Sequence, residues 1–197
     1  MIEIIHRVNR MRASILRQKD TREGFHDQLT SQRLILEHQL NSLRQHIHPE
    51  EESAITPLRR IQILSTAELY RLAAHLYLLE VVPSHDDNTV RPAILSLALE
   101  ALDRLEVATC PWPLFIIACE AIDDNVRVRV LRVLDKMDVS RGIGNVRVMR
   151  GIVEAFWKQV DLRADARGNT GRDPHAQRFS LSWADLVNCD TPVPWFI

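Results

Sequence analysis

Apolar positions recur at helical spacing along most of this chain, separated by short polar or proline-bearing breaks. Residues 2 to 19 place Ile2, Ile5, Val8 or Met11, and Ile15 on one helix face. Asp20-Thr21 then offers a cap for a longer helix to about Ile47. In that helix Leu29, Leu36 and Leu43 repeat every seven residues, and Leu40 and Ile47 fill the alternate seam. The other alternate positions are His26 and Arg33, which a clean coiled coil avoids. Two readings stay open: a helix lying on the rest of the domain, or a short self-association seam. His46, His48, Pro49 and three glutamates make the first clear break.

Beyond that break, "STAELYRLAAHLYLLEVV" opens with Ser65 or Thr66, and Glu68 stands three residues after Ser65, a capping-box arrangement. Leu58 to Leu64 could equally be helical and run straight in. Leu69, Leu72, Ala73, Leu76 and Leu79 or Glu80 form the apolar face, and Pro83 ends the helix. Asn88 or Thr89 caps the next, with Ile94, Ala98, Leu102 and Leu105 on one side and Pro92 tolerated in the first turn. Pro111 and Pro113 launch a short apolar helix through Ala121.

Asp123 or Asp124 caps a helix with Val126, Val130, Leu134 and Met137 inward, although "VRVRVLRVL" alternates at first like a strand. "SRGIGN" is a turn. Asn145 caps a helix to about Val160, with Val146, Met149 or Val153, Phe156 and Trp157. Residues 161 to 179 read as a polar, glycine-punctuated flexible excursion. Ser182 to Val187 is a last short helix or turn, and "TPVPWFI" is expected to dock back. The pattern predicts an all-α chain, a single multi-helix domain of about seven to eight helices. Residues 1–57 form N-terminal helices with a candidate interaction role, and 58–197 form the main domain.

Composition narrows the classes. A net charge of -1 gives no overall basic balance for nucleic acid. Three cysteines without CxxC spacing do not make a disulfide scaffold. No signal peptide and no run of about 18 apolar residues is present, so a soluble, intracellular protein without a membrane partner is expected. Arg7, Arg10, Arg12, Arg17 and Lys19 could touch phosphates, or simply form a solvated helix face.

Motifs for catalysis are missing. There is no GxSxG, no Walker lysine and no HExxH or CxxC pair. Asp86-Asp87 and Asp123-Asp124 are paired carboxylates. The second pair, with Glu120, could serve an all-α small-molecule enzyme or binder holding magnesium. Aspartates at a helix start also act as caps.

Four stretches in order carry a family likeness. They are "ELYRLAAHLYLLEVVP" with Glu68, Tyr70, Arg71 and Ala74, then "CPWPLFIIACEAIDDNVR" with Trp112, Pro113, Phe115, Cys119, Glu120 and Arg127. "GNVRVMRGIVEAFWKQVD" follows with Trp157 and Asp161, and "WADLVNCDTPVPWFI" closes the series with Trp183. Together they resemble the C-terminal regulatory domain of fungal transcription factors that carry a zinc binuclear cluster. The likeness covers residues 66 to 197, while the first 60 match only as generic helices.

The resemblance implies a non-enzymatic regulatory module in the nucleus. It implies self-association as a homodimer or contact with transcription proteins, response to a small-molecule effector, and activation of a pathway such as secondary metabolism. The family's six-cysteine, two-zinc DNA-binding module has no counterpart among this chain's three cysteines. Neither a cofactor nor direct DNA contact is therefore expected here, and zinc is expected only in a missing N-terminal cluster. Glu120, at the end of "PLFIIAC", needs a partner if buried, and Arg71 and Arg127 are the expected ones.

Overall fold

The computed structural model describes residues 1–17, 24–52, 54–106, 108–141 and 144–166. The protein is all-α: the described residues form eight helices and no strand. They fall into two compact units, Met1–Glu106 and Val107–Ile197.

In the first unit, α1 spans Ile2–Arg17, α2 Phe25–Ser42, α3 Pro49–Glu52, α4 Pro57–Val81 and α5 Asp87–Asp103. Helix α4 is the axis, packing against α5, α1 and α2. Because three helices surround it, every residue from Leu72 to Leu79 is buried. Its start is set by Thr56, whose side chain accepts a hydrogen bond from the Arg59 amide, followed by Pro57 at the first helical position. The capping box expected at Ser65 is thereby overridden. Ser65 lies two turns inside the helix and is buried. The chain leaves the helix at Val82, immediately before Pro83.

The face of α1 is Ile4, Val8 and Met11, whereas Ile2 is 85% exposed. The apolar stripe thus starts two residues later than the spacing of Ile2 and Ile5 suggests. Helix α2 ends at Ser42, short of Ile47, and Leu43 is extended. Its Leu29, Arg33, Leu36 and Leu40 are buried, and α2 packs on α4. The heptad face is therefore covered within the chain, not left as a self-association seam. The cap expected at Asp20-Thr21 lies outside the described residues. Gly24 stands at the observed N-cap with φ 93, a left-handed conformation that suits glycine. Helix α5 starts at Asp87, one residue before the expected cap, and buries the expected Ile94, Ala98 and Leu102.

In the second unit, α6 spans Pro111–Glu120, α7 Asp124–Arg141 and α8 Gly144–Ala166. Helix α8 packs on both α6 and α7, and α6 touches α7. All of α6 from Pro113 to Glu120 is buried. The alternating "VRVRV" stretch is helical, with Val130, Leu134 and Met137 buried. Asp123 caps α7: its Oδ1 accepts from the Asn125 amide at 2.8 Å and its carbonyl from Arg127 at 3.0 Å. Val146, Met149, Val153, Phe156 and Trp157 of α8 are buried as expected. Helix α8 runs on to Ala166, so Asp161 is helical and not part of a loop. The rest of the expected excursion, the last helix with Trp183 and the terminal segment lie outside the described residues.

Candidate functional site

Two of the residues singled out in the second unit, Arg127 and Trp157, meet at the C-terminal end of α6. A helix end leaves its last carbonyls without intrahelical donors. The Ala121 amide returns to the Ala118 carbonyl, and two long side chains from neighbouring helices add further donors. Trp157 of α8 donates its indole Nε1–H to the Ala118 carbonyl at 2.9 Å, a fully buried bond. Arg127 of α7 donates Nε–H to the Ala121 carbonyl at 3.2 Å.

The guanidinium of Arg127 lies 5.5 Å from the centre of the Trp157 ring, within cation–π range. Its two Nη groups grip the Asp161 carboxylate at 2.9 and 2.8 Å. This is the parallel, two-bond geometry that arginine and carboxylate favour. The spacing on α8 makes it work. Asp161 follows Trp157 by four residues, so ring and carboxylate stand one above the other on a single face. Arg127 fills the notch between them.

Phe115 is fully enclosed, Cys119 and Pro113 are buried, and Trp112 is half-buried. Cys110, just before α6, has its thiol pushed up to about 11 by burial, which suits a structural thiol and not a nucleophile. Glu120 is 3% exposed and does not stand alone there. Arg127, one of its two expected partners, has its strongest contacts with Asp161 and the Ala121 carbonyl.

In the first unit, Arg71 and Glu68 form a two-bond pair along α4 at 2.8 and 2.6 Å, and Arg71 also donates to the Leu40 carbonyl of α2 at 3.3 Å. The hydrogen bonds from Arg71 hold the Glu68 carboxyl below its ordinary range. Ala74 is fully buried and Tyr70 half-buried.

A second cluster in this unit was not anticipated. Arg33 of α2 reaches the buried Asp87 through both Nη groups, donates to the Val82 carbonyl at 2.6 Å, and pairs with Glu37 at 2.8 Å. Asp87 also accepts the Ser84 amide at 2.8 Å. Burial opposes the Arg33 charge, but the Asp87 and Glu37 carboxylates outweigh it and raise its pKa. The sequence did carry a signal: an arginine stood at a core position of the α2 heptad. Buried His75 has a lowered pKa, mainly through desolvation.

The rival carboxylate site does not assemble. Asp123 is engaged as a cap, Asp124 is 91% exposed at its side chain, and Glu120 is buried in the last turn of α6. Among the described residues no group of three His, Cys, Asp or Glu could hold a metal ion. No helix among them is long and apolar enough to cross a membrane.

The model of the fungal specific transcription factor domain matches residues 1–196, and the chain belongs to that family. The match takes in α1 to α3 as well as the four motif stretches. Comparisons with curated proteins and with solved structures find no match.

Proposed function

We propose that this chain is a regulatory module of transcription that acts by contact rather than catalysis, through self-association or through other transcription proteins, in the nucleus. One observation supports this reading above the others. The residues that carry the resemblance in the second unit, Arg127, Trp157 and Asp161, lock α6, α7 and α8 together. Nothing in that cluster leaves a nucleophile beside a base, and its carboxylate is neutralised by two charge-assisted bonds. Such a cluster builds a rigid surface for other molecules to bind. Membership of a transcription-factor family supplies the process that surface serves.

Fusion of the chain to an unrelated DNA-binding module, upstream of a reporter gene in a fungal host, tests the proposal. A change in reporter output relative to the DNA-binding module alone is expected. Unchanged output from a folded, nuclear fusion would sink the regulatory reading. Sedimentation of the purified chain separates the two modes of contact, since self-association raises the apparent mass with concentration.

A further inference from the structure

A cleft of about 510 Å³ lies between α1 and α2, within the size range of small-molecule sites. Three cations line it: Arg7, Arg10 and Arg17, all from α1. No aspartate or glutamate is among the described lining residues. Arg7 is steadied by the Gln39 side chain at 3.0 Å, while Arg10 and Arg17 form no ion pair with a described residue. Several arginines elsewhere are matched, as in Arg33–Asp87, Arg127–Asp161 and Arg150–Asp135. The floor is apolar, made by buried Met11, Leu29 and Leu36. Gln28 and Gln32 of α2 add neutral hydrogen-bonding groups on the opposite wall.

We infer that this cleft binds a small organic anion, an apolar body carrying a carboxylate or comparable acid. Like charges gathered in one concave site repel one another and concentrate a field that an anion relieves. Guanidinium groups match a carboxylate with paired hydrogen bonds. Half-buried Phe25, beside that floor, gives a short apolar tail a contact that a simple inorganic ion would not use. A nucleic-acid backbone would meet the arginines but leave that floor unused, so it fits less well. The site is built because α1 and α2 both rest on α4, which fixes the two walls. Reading the ligand as an effector rests on the regulatory role proposed above, whereas binding itself does not.

The test uses the full chain and the fluorescent anion anilinonaphthalene sulfonate, with octanoate and neutral octanamide as competitors. One saturable site is expected, displaced at least tenfold more readily by octanoate than by octanamide. The double variant Arg10→Gln/Arg17→Gln should weaken binding at least tenfold, with its urea midpoint unchanged because both side chains are exposed. Gln32→Glu, which brings a carboxylate into the cleft, should weaken it as well. Absence of saturable binding, equal displacement by octanamide, or unchanged binding in the double variant would overturn the inference. So would displacement of octanoate by a short mixed-sequence DNA duplex, which would assign the cleft to phosphates. Binding that persists while the tethered reporter stays silent would sink the effector role alone.

Discussion

At the level of single residues, the side chains that stand out in the sequence are those that close helix ends. Arg127 makes a bidentate ion pair, a carbonyl contact and a ring contact from one side chain that is 12% exposed. Arg127→Ala should cost about 2–3 kcal/mol in urea denaturation, since charge-assisted bonds and a carbonyl partner are lost together. Asp161→Asn should cost only about 1 kcal/mol, because that carboxylate is half in water. Trp157→Phe keeps most of the apolar area and leaves the Ala118 carbonyl its Ala121 amide donor, so a loss of only about 0.5–1 kcal/mol is expected. Equal losses for Arg127→Ala and Asp161→Asn would mean that the carbonyl and ring contacts contribute nothing. In the first unit, Asp87→Ala leaves Arg33 buried beside an empty position and should destabilise by about 3–5 kcal/mol. Pairing it with Arg33→Met should recover most of that loss.

His75 gives the residue scale a pH dependence. Burial lowers its folded pKa below the ordinary 6.5, so the unfolded chain binds its proton more readily. The neutral form is favoured in the fold. Its contribution to stability is therefore complete above about pH 6.5 and declines as pH falls from there toward the folded pKa. Glu37 and Asp87 on one side, and Arg71 and Arg33 on the other, face it with opposing effects. Glu68 follows the same sign at lower pH, losing its contribution as pH falls below its ordinary 4.5. Melting temperatures at pH 7.5 and 5.5 check the histidine. The wild type should lose stability between them, and His75→Gln should lose less. An equal loss in both would place the dependence elsewhere.

The element scale separates what periodicity can reveal from what it cannot. The helices α4 to α8 and their inward faces were legible, because Ile94, Ala98 and Leu102, or Val130, Leu134 and Met137, repeat at the helical period. Ends were less so. Helix α4 begins at Pro57 because Thr56 caps it, although Ser65 and Glu68 also satisfy the local capping rule. A local rule cannot say which of two adequate caps tertiary packing selects. The same limit applied to α2, whose leucine heptad reads equally well as a dimer seam or as a face on α4. Burial of Arg33 against Asp87, distant in sequence, decided it, and no local pattern encodes that pairing. Leu36→Ala should therefore cost about 2–4 kcal/mol as a core cavity and leave the chain's mass in sedimentation unchanged. Leu34→Lys with Ile35→Lys, on the exposed face, should stay within about 0.5 kcal/mol. A drop in apparent mass with Leu36→Ala would restore the seam.

For the molecule as a whole, the fold class and the family were readable from sequence, and the role of the marker residues was readable only in part. Glu120 stood out, but the centre of the cluster proved to be Arg127, held between Trp157 and Asp161. Their separation along the chain hid that convergence, since Arg127 and Asp161 stand 34 positions apart. The carboxylates that suggested an enzyme are accounted for as a cap, an exposed side chain and a buried residue. The most direct measurement is the output of a reporter gene to which the chain is tethered, compared across variants at equal nuclear level. The wild type should change output, Arg127→Ala should lose the effect in step with its folded fraction, and Asp123→Asn with Asp124→Asn should retain it. A silent wild type, or an effect abolished by the aspartate changes in a fully folded chain, would contradict a contact-based regulatory module.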